Sequence, residues 1–337
     1  MSATTIDVQG KFHRGSGPGG GQYTGKTNRA PAGGLEETPT HPLAGSFDTV
    51  AEKVKAMQEE LAVAVEQLAD DENWRAYLDT MSRFHRYSFQ NQLLIAVQRP
   101  DATRVAGFKT WLRLKKPVRK GEKGIAILAP RLVNATDDNG NRVTDDAGRP
   151  VKRVAGFTSA TVFDVSQTDG DPLPEAFVDL TEEPPEGYID DLTAAIEQQG
   201  YTVRYLDMLD EGKGYTTVGE GRKIVAVERS LTPGSRATVL AHELGHIMCG
   251  HTDPDRHGEY HTGHGGKRGV MEVEAESFAY TLSKINGMRT HQRNASEYVA
   301  AWQRHEPDAI RKIGETLSKA VKATMTGSSW RNAADAD

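Results

Sequence analysis

The spacing of hydrophobic positions along this chain changes several times, and each change marks an element. Val50, Val54, Met57, Leu61 and Val65 recur every three to four residues, so one face of a helix is apolar to about Leu68. Trp74, Tyr77, Leu78 and Met81 predict a second helix. A third begins near Ser88 and carries Leu93, Leu94, Ile95 and Val97. It ends before Pro100, because the residue ahead of a proline resists helical backbone. Gly107 to Trp111 suits a short helix. Gly124 to Pro130 reads as a strand closed by its proline, Val154 to Val165 as the return strand, and Asp137 to Gly148 as the polar loop between them. Beyond these, Tyr188 to Gln199 is a helix stopped at Gly200, and Thr202 to Leu206 and Lys223 to Val227 are strands. Further helices are predicted from about Ser235 to Cys249, over 271 to 282, and from about Ala295 to Met325. No internal repeat is visible.

Between the patterned stretches lie two segments of different composition. Residues 1–45 are rich in Gly, Pro, Thr and Ser, with Gly15-Ser16-Gly17-Pro18-Gly19-Gly20-Gly21 as the extreme, and should lack fixed structure. Residues 169–187 hold Pro172, Pro174, Pro184 and Pro185 among many acids and read as a linker. The expected organisation is a tail (1–45), a first α+β domain (46–168), the linker (169–187), a second domain (188–325) and a short tail (326–337).

The second domain carries the clearest chemistry. Residues 242 to 246 are His242-Glu243-Leu244-Gly245-His246, inside an apolar run. Two histidines four apart stand on one helical face, one turn apart, and can share a zinc ion. Glu243 can then reach a water on that ion as general base. Thr232-Pro233 supplies a capping residue and a favoured first helical position, and Gly250 is a natural stop. Metalloproteases of the long motif need a third His six residues past the second. That place holds Thr252, and His251 is one short. The downstream helix offers carboxylates instead. Glu272 and Glu276 share a face, with Val273, Phe278 and Leu282 able to pack behind, while Glu274 leaves the helix about 160° from Glu276. Glu272 is assigned as ligand and Glu276 as the carboxylate that accepts a ring N–H from a ligand histidine. Glu274 becomes the control position. Cys249 lies on roughly the metal face, as a small buried hydrophobe or a fourth ligand. In the loop 252–270, Tyr260 or His264 could donate to an oxyanion.

These two motifs resemble zincin peptidases whose third ligand is Glu, among them the ImmA/IrrE-type metallopeptidases. In such families the distal position follows an ExxxD or ExxxN pattern, where this chain has Glu276. The resemblance implies a zincin-like fold, bound Zn2+ (or another divalent ion) and a peptide or protein substrate.

Charge changes the picture of the first domain. The chain of 337 residues has net charge −6, yet residues 99–131 hold ten Lys and Arg against Asp101 and Glu122. Such asymmetry is a footprint for a polyanion. Arg104, Lys109, Arg113, Lys115, Lys116, Arg119, Lys120 and Lys123 are the candidate contacts, with Trp111 as a platform for a stacked base. No duplex-reading motif is apparent, so single strands are favoured. Cys249 is the sole cysteine, no apolar stretch approaches the length of a membrane span, and no apolar signal segment opens the chain. A cytoplasmic protein without a membrane partner is expected.

A second resemblance covers about 100 residues. Trp74 and Tyr77-Leu78, Phe84-His85-Arg86-Tyr87-Ser88-Phe89-Gln90-Asn91-Gln92-Leu93-Leu94-Ile95, Ala102-Thr103-Arg104-Val105-Ala106-Gly107-Phe108, Trp111, Val118-Arg119-Lys120-Gly121-Glu122-Lys123-Gly124-Ile125 and Val162-Phe163-Asp164-Val165-Ser166-Gln167-Thr168 resemble the N-terminal single-stranded-DNA-binding domain of ArdC-type antirestriction proteins. That family also carries a zincin-like C-terminal domain. It implies a plasmid or phage setting in which incoming single-stranded DNA is protected from restriction. A DNA shield with a purely structural metal, or a peptidase brought by DNA to a regulatory protein, would fit the same residues.

Overall fold

The computed structural model describes residues 5–6, 12–13, 41–44, 46–136, 142–145, 148–170, 183–208, 213–219, 221–253, 268–289, 308–327 and 330. Most of the proposed linker, the loop holding His257, Tyr260, His261 and His264, and the start of the C-terminal helical region lie outside them. Residues 1–40 form one compact unit, described only as strands β1 (Thr5–Ile6) and β2 (Phe12–His13), paired antiparallel. Residues 41–337 form the other.

In the larger unit the predicted helices sit close to their expected places: α1 (Val50–Gln67), α2 (Asp71–Arg83), α3 (Phe89–Gln98) and α4 (Phe108–Arg113). The starts of the first three are encoded by capping oxygens. Thr49, Asp70 and Ser88 each accept a backbone N–H of the first turn, worth about 0.5–2 kcal/mol apiece. Strands β3 (Val105–Gly107), β4 (Ile125–Asn134) and β5 (Lys152–Asp164) form an antiparallel sheet in the order β3-β5-β4. The hydrophobic pattern does not reveal β3, and β4 runs past Pro130, where the sequence predicts its end. Pro130 is tolerated because β4 is an edge strand and its register shifts between Pro130 and Leu132.

That edge is sealed by a helix. Asn91 and Gln98, two turns apart on α3, each donate to and accept from one backbone residue of β4, Leu128 and Ala126 respectively, at 2.8–2.9 Å. Side-chain amides thus occupy groups that would otherwise recruit another strand.

The second half contains α5 (Tyr188–Gln198), β6 (Thr202–Leu206), β7 (Gly214–Gly219), β8 (Arg222–Glu228), α6 (Pro233–Met248), α7 (Arg268–Ile285) and α8 (Ala309–Met325). Its sheet has the order β6-β8-β7, with β6 parallel and β7 antiparallel to β8. The hydrophobic pattern misses β7, which is short and bounded by glycines.

α7 organises the unit. Met271, Val273, Ala275, Phe278, Ala279 and Leu282 are all buried, as are the polar Glu274, Ser277, Thr281 and Ser283, so the helix lies inside the core. On one side it packs on α6, and on another it receives α2: Trp74 donates its indole N–H to Ser277 at 3.2 Å, and Asp79 accepts from the Tyr280 hydroxyl at 2.8 Å and from Lys284. One core cluster therefore includes Trp74, Leu78 and Leu94 from the first half with Leu240, Phe278 and Leu317 from the second. Among the described residues no helix is long and apolar enough to cross a membrane.

Candidate metal centre and candidate nucleic-acid surface

The metal-donor geometry begins with a close helix crossing. A Cβ on Gly245 would meet the Ala275 backbone at 2.9 Å, so glycine lets α6 lie directly against α7. Thr232 caps α6 and Pro233 opens it, as its sequence predicts. His242, His246 and Glu272 then face one point, with one ligand atom from each lying within 4.8 Å of the others. The two Nε2 atoms are 3.1 Å apart, and Glu272 Oε2 lies 3.4 Å from that of His242 and 3.9 Å from that of His246. A tetrahedral ion with bonds of about 2.1 Å sets its ligand atoms about 3.4 Å apart. The three donors could therefore hold a divalent ion with little rearrangement.

The surrounding groups are ordered. Glu276 Oε2 is 3.3 Å from His242 Nδ1, on the side away from the donors. Burial pushes His242 down, but hydrogen bonds to Glu272 and then Glu276 outweigh it and raise its pKa to about 10. Burial, then the charges of His242 and His251, lower His246 to about 3. Burial raises the Glu243 carboxyl above its ordinary value, against the pull of the Thr216 hydroxyl and His242. Thr216, on β7, donates to Glu243 Oε2 at 2.7 Å. Nothing in the sequence points to this contact, since β7 itself escapes the hydrophobic pattern.

Two further residues, Glu274 and His251, lie behind the donors. Glu274 does leave α7 away from Glu272, but into protein rather than solvent: it is 4% exposed, and its Oε2 is 2.7 Å from His251 Nε2. His251 Nδ1 is in turn 2.9 Å from His246 Nδ1. A substitution at Glu274 would therefore also remove this buried contact with His251. The signal in the sequence is Gly250-His251 directly after the helix, a helix-stop glycine that turns the next residue back onto the last turn. Cys249 is buried and outside the donor cluster.

The basic segment divides differently. Arg104, Lys109, Arg113, Lys115, Lys120 and Lys123 are exposed. Trp111 is not: it is 2% exposed and donates its indole N–H to the Phe163 carbonyl at 2.7 Å, leaving no ring face for a base. Phe108, three residues earlier, is 52% exposed. Lys116 is buried, with its ammonium 3.2 Å from the Gly170 carbonyl. Arg119 is committed to Glu122 at 2.6 Å and to the carbonyls of Ser166 and Thr168 at 2.7 and 3.2 Å. Trp111 and Lys116 are thus internal struts, while Arg119, although exposed, is tied to its neighbours.

The Phe163-to-Thr168 motif explains why. Asp164 accepts from the N–H groups of Thr103, Arg104 and Ser166 and from the Ser166 hydroxyl, at 2.7–3.0 Å. Gln167 accepts from Asp164 N and donates to Glu122 and the Lys123 carbonyl. Burial alone would raise Asp164, yet the hydrogen bonds from Ser166, Thr103 and Arg104 hold it below its ordinary value. The end of β5 thereby fixes the backbone on which the basic residues stand. Lys115 ends α4 in the left-handed region, at φ 57°, closing a cap in which the N–H of Lys116 reaches the Trp111 carbonyl.

Known proteins share both halves. Residues 47–163 match the family described as the N-terminal domain of anti-restriction factor ArdC, and residues 196–283 match the IrrE N-terminal-like domain of the M78 peptidases. An uncharacterized protein of Bacillus anthracis is 26% identical over 292 residues, covering 76% of this chain. The chain spans 46% of that relative's length. Crystal structures of the antirestriction protein ArdC of plasmid R388 are 20% identical and cover 74% of this chain and 86% of theirs. Their TM-scores are 0.46 for the metal-free form and 0.44 for the Mn(II)-bound form. With the two family matches in this order on one chain, it is an ArdC-type fusion, an ArdC N-terminal domain followed by an IrrE-like domain of the M78 peptidase family.

Proposed function

We propose that this chain is a divalent-metal-dependent peptidase, with Zn2+ as its ion, joined to a module that binds single-stranded DNA in an antirestriction setting. The observation that carries the hydrolytic part is the convergence of His242, His246 and Glu272 at separations suited to one ion. Two imidazoles and a carboxylate suit zinc and leave a coordination position for substrate. When bound, such an ion supplies Lewis acidity, polarising a carbonyl and making water acidic enough to attack near neutral pH.

The chain's own residues do the rest. Glu243, buried and raised in pKa, takes the proton of the attacking water and returns it to the leaving amine. Thr216 holds one carboxylate oxygen and so fixes the plane of the base. β7 is an edge strand of the described sheet, and Gly214 on it lies against Glu243. An extended peptide added along that edge would carry its backbone past the base. On the first half, Arg104, Lys109, Arg113, Lys115, Lys120 and Lys123 would meet phosphates, while the exposed Phe108 takes the stacking role that Trp111 cannot.

Metal analysis on the purified wild type beside His246→Ala and Glu272→Ala tests the site, and peptide hydrolysis by Glu243→Gln tests the base. The wild type should carry about one ion, the two ligand variants little, and Glu243→Gln a full complement with hydrolysis reduced about 10²–10⁴-fold. Metal loss in Glu243→Gln would make that residue a ligand or a strut instead. A second reading, a structural metal in a DNA-shielding protein, is favoured by one observation: the helix carrying Glu272 is also the one that receives Trp74 and Asp79 from the first half. On that reading Glu243→Gln leaves restriction protection intact.

A further inference from the structure

We propose that His251 and Glu274 form a positioning relay behind His246, resting on the reading of His246 as a metal ligand. The relay starts in the backbone. α6 ends at Met248, Gly250 turns at φ 75°, and the N–H groups of Gly250 and His251 return to the carbonyls of Ile247 and His246. This is a Schellman cap, whose geometry brings the residue after the glycine against the residue five before it. That contact is usually apolar; here it joins two imidazoles, 2.9 Å apart at their Nδ1 atoms. Tyr201 ties the next residue down, donating its hydroxyl to Thr252 at 2.7 Å.

With a metal ion on His246 Nε2 and both rings neutral, one arrangement of protons satisfies the chain of contacts. His246 presents Nε2 to the donor cluster, so its proton is on Nδ1 and is donated to His251 Nδ1. His251 must then carry its own proton on Nε2, which it donates to Glu274 Oε2 at 2.7 Å. His251 and Glu274 are both buried, so the carboxylate's negative charge is not spent on water. The result fixes the ring plane and tautomer of His246 and strengthens it as a donor, while keeping Glu274 outside the donor cluster. His242 is backed directly by Glu276, so the two ligand histidines receive the same support by routes of different length. Alternate glutamates of α7 are thereby divided between a donor, Glu272, and two backing groups, Glu274 and Glu276.

Zn2+ affinity, measured by competition with a chromophoric chelator, tests the relay in the full chain. Glu274→Gln, nearly isosteric, and His251→Phe, which keeps a ring but no nitrogen, should each weaken binding about 10–100-fold. The rise in Tm on adding Zn2+ should shrink in both. A residue that merely supported the fold would lower the melting temperature with and without metal alike and leave that rise unchanged. Ring-nitrogen NMR of the unaltered protein should show the Nδ1–H form of His246 and the Nε2–H form of His251; the opposite tautomers overturn the relay whether or not the variants fold. Wild-type affinity in both variants, with binding abolished in His246→Ala, overturns the relay alone. A wild type that binds no metal brings down the metal-site reading with it.

Discussion

The donor cluster and the basic segment are both conspicuous in the sequence, yet they become structure in different ways. At the cluster, His242, Glu243 and His246 lie on one helix, and helical geometry fixes where they stand relative to one another. In the basic segment, ten cations are spread over a short helix, turns and a strand, and a count of charges carries no direction. There the fold divides similar residues: Lys120 and Lys123 face solvent, while Lys116 is buried and Arg119 is bound to its neighbours. A charge run reports a surface only after the struts have been subtracted.

Four variants would break or sharpen that contrast. The largest effect is expected from neutralising Lys109, Arg113, Lys120 and Lys123 to Gln together. Affinity for a single-stranded oligonucleotide should fall, and the log–log salt slope should flatten by about 0.7 for each phosphate no longer neutralised. Lys116→Met should lower Tm and leave the slope alone. An unchanged slope in the fourfold variant would remove this surface from the DNA-binding reading.

Next in size is Asp164→Asn, which turns an acceptor toward backbone donors into an amide. A destabilisation of about 1–3 kcal/mol is expected in denaturant unfolding. The sign with pH is fixed by the lowered pKa. Because the folded value lies below the unfolded one, near 3.9, the carboxylate stabilises the fold above that pH, and the benefit disappears as pH falls through the folded value. Wild type and variant should therefore converge in stability on acidification; a constant gap down to low pH would contradict the role given to Asp164.

The smallest effect is expected from Lys115→Gly. The left-handed conformation is costly for lysine and free for glycine, so stability should rise by about 0.5–1 kcal/mol after glycine's entropy cost. DNA affinity should fall slightly. A variant that is both less stable and equally tight in DNA binding would mean that the lysine stem matters more than its charge.

Most helices are legible because their signals are local. Thr49, Asp70, Ser88 and Thr232 are caps within one turn of the elements they start, and the apolar repeat sets each buried face. β3 and β7 are not, since strands of three and six residues are stabilised by partners distant in the chain rather than by their own pattern. Trp111 reads as a base platform because an aromatic beside cations looks the same in sequence whether its N–H faces water or the Phe163 carbonyl.

By itself the sequence determined which side chains share a helical face, where helices start and stop, and that two histidines and a glutamate between them lie on one helix. Helical period and capping are short-range, so about twenty residues suffice to state them. Only the tertiary structure decided that Glu272 meets those histidines, that Thr216 holds Glu243, and that Glu274 reaches His246 through His251. Each of those contacts depends on how closely α6 approaches α7 and β7, a distance set by packing at Gly245 and Gly214.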